Sequence, residues 1–350
     1  MKALILAGGF GTRLQPLSYT RPKLMFPIAN RPILEWTIES LSTYGIKDVI
    51  LAVNYMADTI MRHFGDSWKD VKISYSKEAK PLGTGGPIKQ AEQLLVKDSE
   101  EPFIVLNGDI LSSINYKSLY HAHVGFGSKV TVALYEVDDP SRYGVVELDK
   151  ECKILRFLEK PKKNYIQSNM INAGVYVVDP SVLEYIPPDM KVSLERQIFP
   201  MLTESDNLFG YKFDGFWIDI GIPADYLRAN RMMLDFLKEE FIIRRRDIKI
   251  HPNAKLIPPN VLGKGVVIGN GSSIGPYVSL GNNVKVGQEV VINHSIFFEG
   301  TIIGDFSSVE ESIIGEQVLL GKHVNIQSNC MIEDKTRVKD DVTISKNKIV

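Results

Sequence analysis

Beyond His251 the chain is governed by a short repeat. Leu262, Ile268, Ile274, Leu280, Val286 and Ile292 fall at six-residue intervals, and glycine follows each of the first five. Ile314, Leu320, Ile326, Ile332, Val338 and Ile344 keep the same interval in a second run. A six-residue aliphatic period with adjacent glycine is the hexapeptide signature of a parallel β-helix, in which each aliphatic side chain points inward and stacked coils share one core. At roughly three hexapeptides per turn, the segment predicts about four to five coils. A β-sandwich would space its strands more widely and less evenly. Asn293 to Ser312 breaks the phase, so a loop or irregular coil is expected there. Coils expose flat faces and an open end, which suit contacts between subunits. The segment is therefore expected to assemble a homo-oligomer or to regulate, with no direct share in any chemistry.

The preceding residues alternate between strand-like and helix-like segments. Ala3 to Ala7, Asp48 to Val53, Val71 to Tyr75 and Phe103 to Leu106 read as strands. Leu34 to Tyr44, Thr59 to Phe64 and Pro87 to Val96 read as helices between them. The alternation predicts an α/β fold with a Rossmann-like, mostly parallel mixed sheet flanked by helices. Val130 to Tyr135, Val145 to Leu148 and Ile154 to Leu158 extend that sheet. Pro223 to Arg246 reads as one long amphipathic helix, with Arg244, Arg245 and Arg246 where cations favour a helix C-terminus. The expected domains are 1–225, a linking helix over 226–250, and the repeat over 251–350.

Composition narrows the partners. The 350 residues carry a formal net charge of -1, so no global field draws nucleic acid or an anionic membrane. Cys152 and Cys330 are too few for a disulfide framework. No apolar run approaches the roughly 20 residues of a membrane span, and no targeting segment is visible. A reduced, cytoplasmic protein is expected, with anion binding that is local.

The local anion site is the first loop. Gly8, Gly9 and Gly11 leave the carboxyl end of the strand Ala3 to Ala7, where open α/β sheets bind ligands. Glycines let backbone N–H groups approach a phosphate or a base, and Arg13 and Lys23 add cationic charge. A loop of this kind suits a polyphosphate. It is neither a Walker loop nor a dinucleotide fingerprint, because Leu14 stands where the first, counted from Gly8, needs lysine and where the second, counted from Gly9, needs its third glycine.

Two carboxylates end apolar strands. Phe103 to Leu106 runs through Asn107 and Gly108 into Asp109, and Phe216 to Ile218 runs into Asp219. Strand-end acids project into the crevice beside the loop and suit Mg²⁺, which takes oxygen ligands. Either alone could equally be a cap or a turn residue.

G-G-x-G-T-R-L-x-P-L over Gly8 to Leu17, followed by R-P-K-x-M-x-P-I-x-N-x-P over Arg21 to Pro32, resembles the signature of the sugar-1-phosphate nucleotidylyltransferases. The resemblance implies that Leu6, Ala7, Gly8, Gly9, Gly11 and Thr12 hold the nucleotide. Arg13 would bind its triphosphate and Lys23 its α-phosphate, with Gly83, Thr84 and Asn107 nearby. It makes Asp109 and Asp219 the metal ligands. Glu159-Lys160-Pro161 resembles the family's F-x-E-K-P element, in which Glu159 would bond sugar hydroxyls and Lys160 the sugar's phosphate. Asn172 in N-A-G-V-Y and Gly144 in R-Y-G-V match its sugar contacts. The catalytic set implied is Arg13, Lys23, Asp109, Lys160 and Asp219. Left-handedness of the β-helix is likewise what the resemblance implies.

Glu78 bears on the base. Guanine presents two adjacent donors, N1–H and N2–H₂, and a carboxylate offers only acceptors. Uracil and thymine set a donor beside acceptors and suit glutamine. Glu78 lies in E-x-x-P-L-G-T-G-G, which resembles the guanylyltransferases, as do Leu194-Glu195-Arg196 and Gly215-Phe216-Trp217. The expected substrates are GTP and a sugar-1-phosphate, with mannose-1-phosphate the closest resemblance. Another sugar or base, and a non-catalytic scaffold subunit, stay open as alternatives. His294 and His323 would be the candidates if the repeat carried an acyl-transfer activity, although each reads better as a coil surface residue.

Overall fold

The computed structural model describes residues 1–97, 100–237, 242–244 and 247–350. The chain divides into two compact units, one of Met1–Phe10 with Leu34–Ile218 and one of Gly11–Ile33 with Asp219–Val350. The first boundary falls inside the glycine-rich loop, between Phe10 and Gly11.

The first unit is built on a ten-stranded sheet. Its centre is β1 (Ala3–Ala7), an unbroken aliphatic run with parallel neighbours on both sides. These are β2 (Asp48–Val53) and β4 (Phe103–Asn107), and β3 (Val71–Lys77) lies parallel beyond β2. The strands β1, β2 and β4 are apolar runs, as a sheet covered on both faces requires, whereas β3 alternates buried Val71 and Ile73 with exposed Lys72. The sheet changes character at β5 (Met170–Val178), which runs antiparallel to β4 with Val175 opposite Leu106. Val130–Glu136 and Gly144–Leu148 both pair antiparallel with β5, and Ile154–Glu159 pairs antiparallel with Gly144–Leu148. The sheet is thus parallel around the glycine loop and antiparallel where the E-K-P and N-A-G segments lie. The expected helix over Pro87 to Val96 is two short helices, Gly86–Gln90 and Glu92–Val96, with a break at Ala91.

In the second unit a helix spans Pro223–Phe236, with Pro223 in its first turn and Tyr226, Ala229, Asn230 and Met233 buried. It ends well before the arginines. Arg244 belongs instead to a strand, Ile242–Arg244, that pairs in parallel with Asn260–Leu262, while Phe241, Arg245 and Arg246 lie outside the described residues. Two adjacent β-branched residues, Ile242 and Ile243, favour the strand over a helix end.

From there the chain winds through three parallel six-stranded sheets, the architecture of a left-handed β-helix. Leu262 pairs in turn with Leu280, Phe297, Ile314 and Ile332 along one sheet. Six strands per sheet make six coils, more than the repeat alone suggested. The break expected over Asn293 to Ser312 does not occur. Ile296–Phe297, Ile302–Ile303 and Ser308–Glu310 take their places in the three sheets. The phase slips because the steps from Ile292 to Phe297 and from Val309 to Ile314 are each one residue short, which the corners absorb.

The repeat's chemistry follows from stacking. The inward aliphatic residues Leu262, Ile274, Leu280 and Ile292 are fully buried. A Cβ on Gly269 would stand 2.3 Å from the Gly287 carbonyl oxygen of the next coil, so close stacking demands glycine there. Corners place Tyr277, His294, Phe306 and His323 at positive φ. Tyr277 and His294 stack at 5.3 Å and Phe306 and His323 at 5.0 Å. Both histidines are therefore corner residues stacked on an aromatic neighbour, which accounts for them without catalysis.

Candidate active site

In the first unit, Gly8 and Gly9 follow β1, and Leu6 pairs with Asn107 of β4. Gly108 donates its N–H to the Leu6 carbonyl at 3.1 Å, which holds the turn leading to Asp109. Glu78 lies in the loop that follows β3. It is buried there, with 8% exposure. Its Oε2 accepts the Leu82 N–H at 3.0 Å, and its Oε1 lies 2.9 Å from where a Cβ on Gly8 would stand. Any side chain at residue 8 would displace this carboxylate, which is the physical reason for Gly8. Burial raises the Glu78 carboxyl above its ordinary value, and the Leu82 N–H pulls it partly back.

Gly83 and Thr84 tie their loop to the Val192–Glu195 segment. A Cβ on Gly83, at φ 79°, would fall 2.3 Å from the Val192 carbonyl oxygen. The Thr84 hydroxyl donates to Glu195 at 2.7 Å and accepts the Leu194 N–H at 2.9 Å. That hydroxyl is committed within the protein, so a nucleotide contact at Thr84 would fall to its backbone. Glu195 also accepts from Ser193 at 2.7 Å and opens a single π-type turn, Leu194–Ile198. Such turns are frequent at functional sites.

On the antiparallel side, a bulge shapes β5. The register jumps between Asn172, opposite Leu134, and Tyr176, opposite Val132. Within it the Asn172 Oδ1 accepts the Gly174 N–H at 2.8 Å and its Nδ2 donates to the Tyr176 hydroxyl at 2.9 Å. Gly174, at φ 69°, lies so near Asn107 that a Cβ would come within 2.7 Å of its amide nitrogen. The N-A-G segment thus fixes the orientation of Asn172 and packs on Asn107. Gly144 faces Glu159, whose Oε2 would stand 3.0 Å from an added Cβ. The Glu159 carboxyl is raised by burial, Lys160 lowers it, and Glu195 raises it further. Lys160 lies 3.5 Å from Glu159, yet 62% of its side chain is exposed. Its φ is 49°, a conformation that costs a non-glycine residue free energy and clusters at functional sites.

In the second unit, Gly11 adopts φ 61°, and a Cβ there would press on Lys23 Cβ at 3.1 Å. The Lys23 stem runs past Gly11, and Lys23 is itself buried at 7% exposure. Thr12 and Arg13 form a single 3₁₀ turn with Leu14. The Arg13 guanidinium lies over Gly221, whose Cβ would meet Nη2 at 3.1 Å. Asp219 is two residues earlier, and its carbonyl accepts the Gly221 N–H at 3.0 Å. A side chain at Gly221, two residues after Asp219, would therefore press on that guanidinium. Asp219 closes the strand Trp217–Asp219.

The structure thus gathers the expected residues into two groups, each within its own unit. Gly8, Glu78, Asn107, Gly144, Glu159, Lys160 and Asn172 lie in the first, and Gly11, Arg13, Lys23 and Asp219 in the second. Glu195 and Tyr176 bond to these groups, and sequence reading gave them no role. Thr84 and Glu195 are too far apart in the chain for any local pattern to join them.

Comparison with known proteins gives the family. The Nucleotidyl transferase family model matches residues 2–235, and the model described as GMPPB C-terminal domain matches residues 256–350. A probable mannose-1-phosphate guanylyltransferase 1 of Oryza sativa is 41% identical over 244 residues, which are 69% of this chain and 66% of the relative's length. The mannose-1-phosphate guanyltransferase of Saccharomyces cerevisiae is 40% identical, over 73% of this chain and 70% of its own. Among solved structures, HddC from Yersinia pseudotuberculosis superposes with a TM-score of 0.57 at 33% identity, covering 66% of this chain and 99% of HddC. With the family model spanning most of its length, the chain belongs to the nucleotidyl transferase family.

Proposed function

We propose that the chain makes GDP-mannose and pyrophosphate from mannose-1-phosphate and GTP. The observation that carries the choice of base is Glu78, a buried carboxylate set against the Gly8 backbone at the end of β1. Ionised, it presents acceptors alone, which suits the adjacent donors of guanine. The guanylyltransferase names of the relatives point the same way.

In this reading a phosphate oxygen of the sugar-1-phosphate forms a bond to the α-phosphorus of GTP. The bond from that phosphorus to the bridging oxygen breaks, and pyrophosphate leaves with the electron pair. No side-chain base is needed, because the attacking phosphate is already anionic. The protein contributes position and charge. Arg13 holds the leaving pyrophosphate, Lys23 the α-phosphate and Lys160 the sugar's phosphate, while Glu159, Asn172 and the Gly144 backbone orient the sugar. The exposed Lys160 ammonium, on a strained backbone, is free to reach a ligand.

Asp109 and Asp219 are hard oxygen donors at two strand ends and would hold Mg²⁺. Among the described residues no group of three or more His, Cys, Asp or Glu could hold a metal, so its other ligands would be waters and substrate phosphates, as Mg²⁺ prefers. When bound, the ion neutralises phosphate charge.

Cys152 and Cys330 are free thiols, in keeping with a reducing cytoplasm. Among the described residues no helix is long and apolar enough to cross a membrane. Self-assembly through the β-helix is part of the proposal, supported by exposed Ile302 and Phe306 on one coil.

Pyrophosphate release, measured for a panel of nucleoside triphosphates against mannose-, glucose- and N-acetylglucosamine-1-phosphate, tests the assignment. GTP with mannose-1-phosphate should give the highest kcat/KM. A preference for dTTP or UTP, or for glucose-1-phosphate, would replace it with the neighbouring activity, and no release with any pair would leave a scaffold.

A further inference from the structure

The signature segment after the glycine loop is seated on the β-helix, inside one compact unit. Arg21, two residues before Lys23, donates from Nη2 to Glu316 and to Asp334, each at 2.7 Å. Thr20 donates its hydroxyl to the same Asp334 oxygen. The guanidinium carbon lies 4.8 Å from the centre of the Phe298 ring. Only 4% of the Asp334 side chain and 17% of the Arg21 side chain are exposed, so the pair is little screened. Further along, Phe26 packs edge-on against Phe298 and Tyr226, and the Ala29 N–H donates to Asn230 Oδ1 at 2.9 Å. Asn30 donates to the Leu280 carbonyl at 2.6 Å. Residues on both sides of Lys23 are thus anchored to the coils or to the helix before them.

We propose that Arg21 is a positioning residue, and that its pairing with Asp334 and Glu316 makes the β-helix the platform that sets Lys23. The inference rests on the reading of Lys23 as the α-phosphate ligand, and it goes against the expectation that the repeat has no part in the chemistry. Lys23 has little freedom of its own to correct an error, since its stem runs against Gly11 and it is buried. A backbone shift at Arg21 would pass directly to its ammonium. Misplacement of about 1 Å can cost about 100-fold in rate.

The β-helix supplies its own control. Asp334 Oδ1 accepts the Glu316 N–H at 2.6 Å, a rung contact between coils. Asp305 makes the same contact to Gln288 at 3.1 Å, and Asn282 makes it to Lys264 at 3.0 Å. An asparagine therefore satisfies the rung. Asp334→Asn keeps the coil and removes the charge that Arg21 faces.

Two measurements on the full chain decide the matter. In the first, kcat and KM are compared for the parent, Asp334→Asn, Arg21→Lys, Arg21→Ala and the Arg21→Ala/Asp334→Asn double variant, alongside thermal melting. The single changes to Asn and Ala should lower kcat by about 10- to 100-fold, with KM for the sugar phosphate moving less than about twofold. Arg21→Lys should recover part of the loss, and the double variant should be no worse than Arg21→Ala, because coupled residues are not additive. In the second, amide hydrogen exchange is followed at Met25 and Phe26, which bond to the Pro22 and Lys23 carbonyls. Their exchange should quicken in Asp334→Asn while Ile268 and Leu280 stay protected. Unchanged kcat, multiplicative losses, or a lowered melting point with kcat intact would each reduce Arg21 to a structural tie and overturn the proposal. An inactive parent would instead sink the guanylyltransferase reading, and the exchange experiment would still decide whether the platform exists.

Discussion

Replacing Glu78 by glutamine separates base recognition from folding. The amide oxygen can take over the Leu82 N–H that Oε2 accepts at 3.0 Å, so the loop keeps its tie. The NH₂ then occupies the place of Oε1, against Gly8 and toward the nucleotide loop. There a donor would face the donors of guanine. A buried polar group left unpaired costs about 1–3 kcal/mol, so kcat/KM for GTP should fall by roughly 10- to 100-fold. Relative use of UTP or dTTP should rise, since an amide complements N3–H and a carbonyl. Competing GTP against dTTP on parent and variant reads the ratio directly. An unchanged ratio would mean that Glu78 does not touch the base.

Linkage supplies a second reading of the same residue. Its carboxyl is raised in the folded chain, chiefly by burial. The folded state therefore favours the neutral form. Its contribution to stability is full below the unfolded carboxyl range and is lost as pH rises through the folded value. A glutamine is neutral at every pH, so at pH 7 Glu78→Gln should melt no lower than the parent. Protonation also removes an acceptor, so the parent's preference for GTP should narrow as pH falls through the raised carboxyl range. A variant that melts markedly lower at pH 7 would show that the carboxylate does more for the fold than accept the Leu82 N–H.

Other outcomes follow from the same geometry. Asp109→Asn and Asp219→Asn should each lower turnover by orders of magnitude with melting unchanged, and near-native activity in Mg²⁺ would remove that residue from the metal site. Gly269→Ala must displace the Gly287 backbone, which lies 2.3 Å from the new Cβ, and should destabilise by about 1–3 kcal/mol in denaturant titration; a neutral change would show that the coils can separate at no cost. Phe306→Glu should lower the sedimenting mass if the exposed coil joins subunits, and the parent's mass retained at all concentrations would place the contact elsewhere.

What could be read from the chain beforehand divides by range. The six-residue period and the strand-helix alternation are local patterns, and they predict the two architectures correctly. The slips at Phe297 and Ile314 escaped because a period analysis sees a missing residue as an end, whereas a coil needs only its inward aliphatic residue and can shorten a corner. Ile242 and Ile243 fall within a helical spacing that Tyr226, Leu227, Met233, Leu234, Leu237 and Phe241 carry through the sequence, whereas the helix itself spans Pro223–Phe236. Glu78 was legible as a chemical type but not as a buried group, since its burial depends on Gly8, which lies on another strand's end.

Arg21 marks the deepest limit of that kind. Within R-P-K it reads as one more cation beside a phosphate loop, and its own neighbours in sequence give no other account of it. Its partners stand about 300 residues away, on coils where Asn282, Asp305, Asp334 and Asp340 serve the same rung contact. No local signal distinguishes Asp334 from Asp305 or Asn282. The distinction is made by the second carboxylate oxygen, which on Asp305 faces Lys322 of the next coil and on Asp334 faces Arg21. One repeat position thus supports either the coil alone or the coil and the signature loop together, depending only on what the fold brings against it.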